Sequence, residues 1–204
     1  MADAGRVIAG IAKGVRLAAP GAGTRPFADR VKQTLFAVLE PELPGAAVLD
    51  LFAGSGAGGI EALSRGAARA TFVEKDGGAA RVVTENLRRT RLDSLGRVVR
   101  RDAVGWLADP AGAAADGPFD LVLVDPPYAD TESLVRALEL VGPHVAAGGV
   151  VVAKHFWRDA PPPEVGLLAS DRERRFGETA LTFYRRPAPG GPGIGPGEEE
   201  AGEA

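Results

Sequence analysis

The chain has no cysteine, two histidines and one methionine among its 204 residues. It can therefore form neither a disulfide nor a cysteine-ligated metal site, and two histidines make a histidine-based zinc site improbable, so we expect no metal. No apolar run approaches the ~20 residues that cross a bilayer. Asp3, Lys13 and Arg16 interrupt the apolar N-terminus, which argues against a signal peptide. These absences predict a cytoplasmic protein without a membrane segment.

The composition suits one α/β core rather than two large domains, since 45% of the residues are hydrophobic. The net charge of −3 comes from the C-terminus, because residues 187–204 contain four Glu, four Pro, six Gly and no basic residue. This composition predicts a disordered acidic tail. The rest of the chain is slightly basic, with clusters at 6–32, 81–101 and 172–186. Charge alone leaves nucleic-acid contact and ordinary solvated helix faces equally open.

Repeated strand–helix units occupy residues 45–186. The apolar patterns predict strands at 46–51, 69–74, 96–101, 119–124, 148–153 and 179–186, with helices at 57–65, 77–92, 102–108 and 131–141. Arg172–Phe176 and Thr179–Arg185 are predicted to form an antiparallel hairpin around Gly177. Such alternation is typical of an α/β fold whose mostly parallel sheet is covered by helices on both faces.

Residues 1–40 form an N-terminal extension to these units. Arg6–Ala9 and Val15–Ala18 flank a Gly/Lys turn and are predicted to pair as a hairpin. Apolar residues then recur at helical spacing from Val31 to Leu39, which predicts a helix that ends before Pro41.

The tetrapeptide Asp125-Pro126-Pro127-Tyr128 follows the apolar strand 119–124. Consecutive prolines fix φ and remove backbone donors, so the chain leaves the sheet in one stiff conformation. A carboxylate, a backbone carbonyl and an aromatic face then surround one small volume. That volume suits a planar base, whose amine donates to the two acceptors while its ring stacks on Tyr128. The alternative is a strand-terminating turn in which Asp125 caps a nearby group.

A glycine-rich turn follows the first strand of the α/β units, from Gly54 through Gly56 to Gly59. It has the spacing of the dinucleotide-binding fingerprint, and Glu74 stands at the acidic position that contacts ribose. Asp50 decides between two ligand classes. Its carboxylate would repel the pyrophosphate of a nicotinamide cofactor but would attract the ammonium of S-adenosylmethionine. The alternative for Glu74 is a solvated residue beside Lys75.

Several motifs resemble those of Rossmann-like amino-methyltransferases that use S-adenosylmethionine, namely Asp50–Gly56, Glu74–Asp76 and Asp125–Tyr128. The segments Arg6–Gly10, Gly23–Pro26, Asp29–Phe36 and Phe176–Tyr184 further resemble the RsmD family of small-subunit rRNA guanine-N2 methyltransferases. The likeness covers roughly residues 6–186. Its Thr-Arg-Pro and Asp-Arg-Val segments are the specific part, since Asp-Pro-Pro-Tyr also occurs in DNA adenine methyltransferases. An acidic residue is common in the family where Lys154 precedes His155.

The resemblance implies a class I methyltransferase fold with a seven-stranded sheet. It implies transfer of a methyl group to a guanine N2 of 16S rRNA, guanine 966, in an assembled or assembling small ribosomal subunit. The protein is expected to act as a monomer. Its implied catalytic residues are Asp125, Pro126, Pro127 and Tyr128, and its implied cofactor residues are Asp50, Phe52, Gly54, Gly56, Glu74, Lys75, Asp102 and Ala103. Substrate contacts are implied for Arg16, Thr24, Arg25 and Arg30.

Some of these roles have structural alternatives. Asp102 follows a predicted strand and begins a predicted helix, a common place for a helix N-cap. Arg16, Arg25 and Arg30 either track RNA phosphates or only attach the extension to the main domain. Three other functions remain open for the chain: a DNA adenine-N6 methyltransferase, a nicotinamide-dependent oxidoreductase and a catalytically silent RNA-binding assembly factor.

Overall fold

A computed structural model describes residues 3–21, 29–109 and 111–188 of the protein. Its strands are β1 (Asp3–Arg6), β2 (Arg16–Ala18), β3 (Ala47–Leu51), β4 (Arg69–Val73), β5 (Gly96–Val99), β6 (Phe119–Val124), β7 (Val145–Phe156), β8 (Glu164–Val165), β9 (Leu168–Phe176) and β10 (Thr179–Arg185). Its α-helices are α1 (Asp29–Leu39), α2 (Ala57–Ser64), α3 (Gly77–Thr90), α4 (Ala103–Ala108) and α5 (Thr131–Val141). Short 3₁₀ helices lie at Glu40–Glu42, Asp93–Leu95, Ala113–Ala115 and Gly142–His144.

The main sheet has the strand order β5-β4-β3-β6-β7-β10-β9-β8. The strands from β5 to β7 are parallel, whereas β10, β9 and β8 continue the sheet in antiparallel pairs. The chain moves outward from β3 to β5 and then returns to place β6 on the other side of β3. Ligands bind α/β sheets at such a reversal, beyond the carboxyl ends of the strands.

Helices cover both faces of the sheet, which confirms the expected α/β class I methyltransferase architecture. One apolar core joins α1, α2 and α3 to the sheet, and a second core joins α4 and α5 to the opposite face. The sheet has one strand more than the seven expected, because the two-residue β8 pairs with the start of β9. No α-helix within the described ranges is long and apolar enough to cross a bilayer.

The N-terminal hairpin forms, but its first strand lies three residues earlier than predicted. β1 pairs with β2 through Asp3 opposite Ala18 and Arg6 opposite Arg16. The predicted strand 6–9 is wrong because the backbone N–H groups of Ile8 and Ala9 donate to the Glu61 carboxylate at 2.8 and 3.0 Å. These two donors point to α2 instead of completing a strand ladder.

The extension shares the apolar core of α1, α2 and α3 rather than standing apart from it. Asn86 of α3 donates to the carbonyl of Ala18 at 2.9 Å and accepts from the N–H of Ala18 at 2.8 Å. The same side-chain amide donates to the carbonyl of Ser55 at 2.9 Å. A fully buried side chain therefore connects the hairpin to the glycine-rich turn.

β7 extends beyond the prediction at both ends. It pairs in parallel with β6 as far as Ala153, opposite Val124. Beyond that point it pairs only with β10, so that Lys154, His155 and Phe156 project past the end of β6. The predicted C-terminal hairpin is present as β9 and β10. The expected acidic tail begins at residue 187, and residues 189–204 lie outside the described ranges.

Candidate active site

A cavity of about 510 Å³ lies at the carboxyl edge of the parallel strands, within the usual size range of small-molecule sites. Its walls come from β1 and the segment after β2, from the glycine-rich turn, and from the ends of β4, β6 and β7. The residues are Ala4, Ala19, Pro20, Gly21, Asp50, Phe52, Ala53, Gly54, Ser55, Ala57, Gly58, Val73, Glu74, Lys75, Asp76, Ala79, Ala103, Asp125, Pro126, Pro127, Tyr128 and Lys154.

The strand register explains why distant residues meet here. Leu51 of β3 is opposite Val73 of β4 and Val124 of β6, at the last paired position of each strand. The next residues, Phe52, Glu74 and Asp125, therefore follow three neighbouring parallel strands at one edge. All three are predicted site residues, and the structure brings them into one cavity.

Glu74 joins the glycine-rich turn to the turn after β4. Its Oε2 accepts from the N–H of Gly54 at 2.9 Å, and its Oε1 accepts from the N–H of Asp76 at 2.8 Å. Asp76 in turn caps α3, since its side chain accepts from the N–H of Ala79 at 2.8 Å. The carboxylate is thus fixed in orientation rather than solvated, and its remaining lone pairs can accept from a ligand.

Asp50 is a buried acid in the wall of the cavity, with 4% of its surface exposed. Its Oδ2 accepts from the N–H of Gly59 at 2.8 Å. Burial raises the pKa of Asp50 to about 7, and the negative charges of Asp125 and Glu74 add to the rise, while the Gly59 bond opposes it. A cation bound in the cavity would stabilise the ionised carboxylate.

Gly58 and Gly56 lie where the surrounding residues leave little room for a side chain. A Cβ on Gly58 would lie 2.7 Å from Leu123 Cδ1 and 3.4 Å from Asp50 Oδ2, so a side chain there would crowd the wall around the buried acid. Gly56 has φ +76° and a Cβ there would lie 2.9 Å from Val83 Cγ1. Gly56 is therefore needed for the turn and for packing against α3, and it does not line the cavity.

Phe52 has a left-handed backbone, with φ +59°, although it is not glycine. This conformation costs on the order of 1 kcal/mol or more for a residue with a Cβ. Phe52 is one of the residues that line the cavity. Strain of this kind is concentrated at functional sites, where surrounding contacts hold it.

The Asp125–Tyr128 turn is held at both ends. The Asp125 N–H donates to the carbonyl of Leu51 at 3.4 Å, and the Asp130 N–H donates to the carbonyl of Pro127 at 2.8 Å. Asp130 also caps α5 through a 3.1 Å bond from the N–H of Ser133. The Tyr128 hydroxyl lies 2.5 Å from Thr179 Oγ1, which fixes the ring against the start of β10.

The Asp125 carboxylate faces the cavity and pairs with Lys154. The Lys154 Nζ lies 2.7 Å from Oδ1 and 3.0 Å from Oδ2, and 5.2 Å from the centroid of the Tyr128 ring. Burial raises the pKa of Asp125, and the Lys154 ammonium opposes this rise. The structure thus places Asp125 in an ion pair with Lys154 at the cavity.

Asp102 takes the structural role that was its alternative. Its side chain accepts from the N–H of Gly105 at 2.8 Å and caps α4. Asp102 is exposed and is not among the residues that line the cavity, whereas its neighbour Ala103 is buried and does line it. Lys75 lines the rim with an exposed side chain.

The residues implied in substrate binding either do not line the cavity or lie outside the described ranges. Arg16 begins β2 and Arg30 is in the first turn of α1, and both are exposed. Neither lines the cavity. Thr24 and Arg25 lie outside the described residues. No group of three or more acidic or histidine side chains that could hold a metal is found in ranges 3–21, 29–109 and 111–188.

The site also contains residues that the sequence did not predict, namely Lys154, Thr179 and the stretch from Ala19 to Gly21. Lys154 follows an apolar strand in the same way as Asp125, so its position at a strand end was a usable signal. No local pattern indicated the pairing of Tyr128 with Thr179, since 51 residues separate them.

The fold is that of the class I methyltransferases, and the cavity lies at the reversal between β3 and β6. The family model described as conserved hypothetical protein 95 matches residues 5–185. The chain belongs to this family, which is the RsmD family that its motifs resemble.

Relatives align over nearly the whole chain. YlbH of Bacillus subtilis is 38% identical over 184 residues, which are 89% of this chain and 98% of that protein. Ribosomal RNA small subunit methyltransferase D of Escherichia coli K12 is 35% identical over 188 residues, 91% of each chain. A solved structure of a hypothetical protein from Thermus thermophilus is 39% identical, with a TM-score of 0.74, and covers 87% of this chain and 97% of its own.

Proposed function

We propose that the protein transfers a methyl group from S-adenosylmethionine to the exocyclic N2 of a guanine in 16S rRNA. The family resemblance indicates guanine 966, on an assembled or assembling small subunit. The observation that carries the proposal is the meeting of Asp50, Glu74, Asp125 and Tyr128 in one cavity. Asp50 and Glu74 suit a cationic nucleoside, and Asp125 and Tyr128 suit an aromatic amine. The E. coli relative named for small-subunit rRNA methylation supports the substrate class.

The residues of the cavity fit S-adenosylmethionine better than a pyrophosphate cofactor. When bound, this cofactor supplies an activated methyl group, because its sulfonium centre leaves as a neutral thioether. Asp50 interacts with two further acids of the cavity, Asp125 and Glu74. These carboxylates would repel a pyrophosphate, whereas a bound cation would stabilise their negative charge. Glu74 would accept from ribose hydroxyls, Asp50 would face the ammonium, and Phe52, Gly54, Lys75 and Ala103 would complete the walls.

Asp125, the Pro126 carbonyl and Tyr128 would hold the substrate amine. The lone pair of guanine N2 is delocalised into the ring, so the enzyme must fix the amine in line with the methyl group and keep water away. The carboxylate and the carbonyl would accept the two N–H bonds and stabilise the positive charge that develops on nitrogen. Tyr128 would stack on the base, which must leave its helix to reach the cavity.

The nitrogen gains one carbon bond and must lose one proton to become the neutral N2-methylguanine. The cationic nitrogen is acidic enough to release that proton to water. Asp125 therefore has to accept hydrogen bonds from the amine, but it need not take up the proton that the methylated nitrogen releases.

The exposed arginines of the N-terminal extension would contact RNA phosphates. Arg16 and Arg30 belong to elements that pack directly against the glycine-rich side of the domain, within one apolar core. Backbone contacts of this type orient a nucleic acid without reading its sequence. Thr24 and Arg25 belong to the same segment and are proposed to join them.

The test is transfer of labelled methyl from S-adenosylmethionine to unmethylated small ribosomal subunits, naked 16S rRNA and duplex DNA, followed by digestion to nucleosides. Label in N2-methylguanosine from rRNA is the expected result. Label in N6-methyladenine would replace the substrate with DNA or another adenine target. Absence of label despite measured cofactor binding would contradict the enzymatic proposal and favour a silent assembly factor.

A further inference from the structure

The last residue pair of the parallel ladder between β6 and β7 brings an aspartate and a lysine together. Val124 is opposite Ala153, so the next residues, Asp125 and Lys154, emerge side by side at the cavity. Their side chains are 21% and 12% exposed, respectively. Because most of the pair is removed from water, its attraction is stronger than that of a surface ion pair.

The Lys154 ammonium contacts both groups that the substrate amine would need. It donates to the two oxygens of Asp125 and lies over the Tyr128 ring. A primary ammonium has N–H donors and positive charge, which are also the properties of an amine during methyl transfer. The pocket around Asp125 and Tyr128 is therefore already built to hold a nitrogen of this type.

We propose that Lys154 is a positioning residue for the transfer reaction, which keeps Asp125 ionised and directed into the cavity and then shares its carboxylate with the entering base. This inference rests on the proposed function. A carboxylate has about four lone-pair positions. Oδ1 can keep its shorter contact with Lys154 while Oδ2 accepts from the substrate amine.

The burial of Asp125 and the groups around it explain the effect of this cation. Asp50 from β3 is an acid that interacts with Asp125, and Glu74 at the end of β4 interacts with Asp50. Tyr128 from the same turn supplies an aromatic face, and Lys154 from β7 supplies the positive charge. Burial favours a protonated Asp125, which would lose acceptor capacity. Lys154 shifts the balance towards the carboxylate.

The first arm of the test uses the protein without cofactor or RNA. Aspartate carboxyl groups are labelled with ¹³C, the Asp125 signal is assigned with D125N, and its titration is followed by NMR. We expect K154M and K154Q to raise the midpoint of Asp125, and K154R to keep it near that of the unaltered protein. R136M, which removes an exposed ion pair of α5, is the control and should leave the midpoint unchanged. An unchanged midpoint in both neutral variants overturns the proposal.

The second arm measures single-turnover methyl transfer to small subunits against pH. In K154Q the acidic limb of the pH–rate profile should move to higher pH. On that limb the rate should fall about tenfold for each pH unit that the midpoint rises, and it should recover in alkaline buffer. K154R should keep the shape of the profile. An equal loss at every pH would indicate a merely structural role and overturn the proposal. Absence of transfer by the unaltered protein would instead contradict the proposed function, and the NMR arm would still decide the role of Lys154.

Discussion

The Glu74 carboxylate accepts a 2.9 Å hydrogen bond from the backbone N–H of Gly54, 20 residues earlier in the chain. This bond connects the turns that follow β3 and β4, two neighbouring strands of the sheet. The acid that the sequence assigned to ribose binding therefore also shapes the glycine-rich turn. Loss of the side chain should affect both roles.

Glu74→Ala should weaken the binding of S-adenosylmethionine by at least tenfold. Two ribose hydrogen bonds at about 1 kcal/mol each account for this loss, and release of the turn adds to it. Glu74→Gln retains one acceptor oxygen and should lose less. Isothermal titration calorimetry measures both, with E132Q on the exposed start of α5 as the control. An unchanged dissociation constant in E74A would remove Glu74 from the cofactor site.

Asp125→Asn should lower turnover by roughly 10²-fold or more, because the charge that stabilises the developing cation is lost. The amide oxygen can still accept from Lys154, so the variant avoids leaving a buried ammonium without a partner. Cofactor affinity should change little. Single-turnover transfer and calorimetry separate the two effects, and near-normal turnover would defeat the assigned role.

Asp50 should make both stability and cofactor binding depend on pH. Its pKa is near 3.8 in the unfolded chain and about 7 in the folded protein. The folded state therefore retains a proton that the unfolded state has lost, and stability should fall as pH rises from about 4 to 7. Asp50→Asn should abolish that fall, and urea unfolding at several pH values measures it.

A cation beside Asp50 should lower its pKa, so cofactor binding near neutral pH should release a proton and strengthen as pH rises. Calorimetry in buffers of different ionisation enthalpy measures the released proton. Asp50→Asn keeps an acceptor for the Gly59 N–H but should show no such release from this position. Equal proton release in both proteins would place the titrating group elsewhere.

Glu61→Ala should destabilise the protein by about 3–5 kcal/mol, the usual cost of breaking a buried ion pair. The fully buried carboxylate accepts from the N–H groups of Ile8 and Ala9, and it pairs with Lys32 and Arg65. Urea unfolding measures the loss. Hydrogen exchange should also become faster at Ile8 and Ala9 than in the distant helix α5. If Ile8 and Ala9 exchange no faster in the variant than in the unaltered protein, Glu61 does not hold the extension.

If the exposed Arg30 guanidinium contacts the RNA backbone, Arg30→Gln should reduce the slope of log K against log salt concentration by about the contribution of one phosphate contact. Arg16→Gln should act similarly. The control is R136Q, on the helix that covers the other face of the sheet. Binding to 16S rRNA is measured across a salt series, and an unchanged slope in both variants would leave these arginines only a structural role.

Local patterns located most of the fold. The predicted β6 and α5 match the structure at both ends, because an apolar run before two prolines and an apolar helical face before a Gly-Pro stop act within a few residues. The prediction failed at β1, where the fully buried Glu61 takes the backbone donors of residues 8 and 9 from 52 or more positions away. No local pattern indicates such a contact.

The fold class, the carboxyl ends of β3 and β6 and the acids near them could be read from the chain, because glycines, prolines and apolar periodicity restrict the backbone locally. Three further features depend on the packed molecule: Asp125 pairs with Lys154, Asp102 caps a helix, and burial raises the pKa of Asp50. Ion pairs and pKa values depend on strand order, register and burial. These properties arise only when segments far apart in the chain pack together and exclude water.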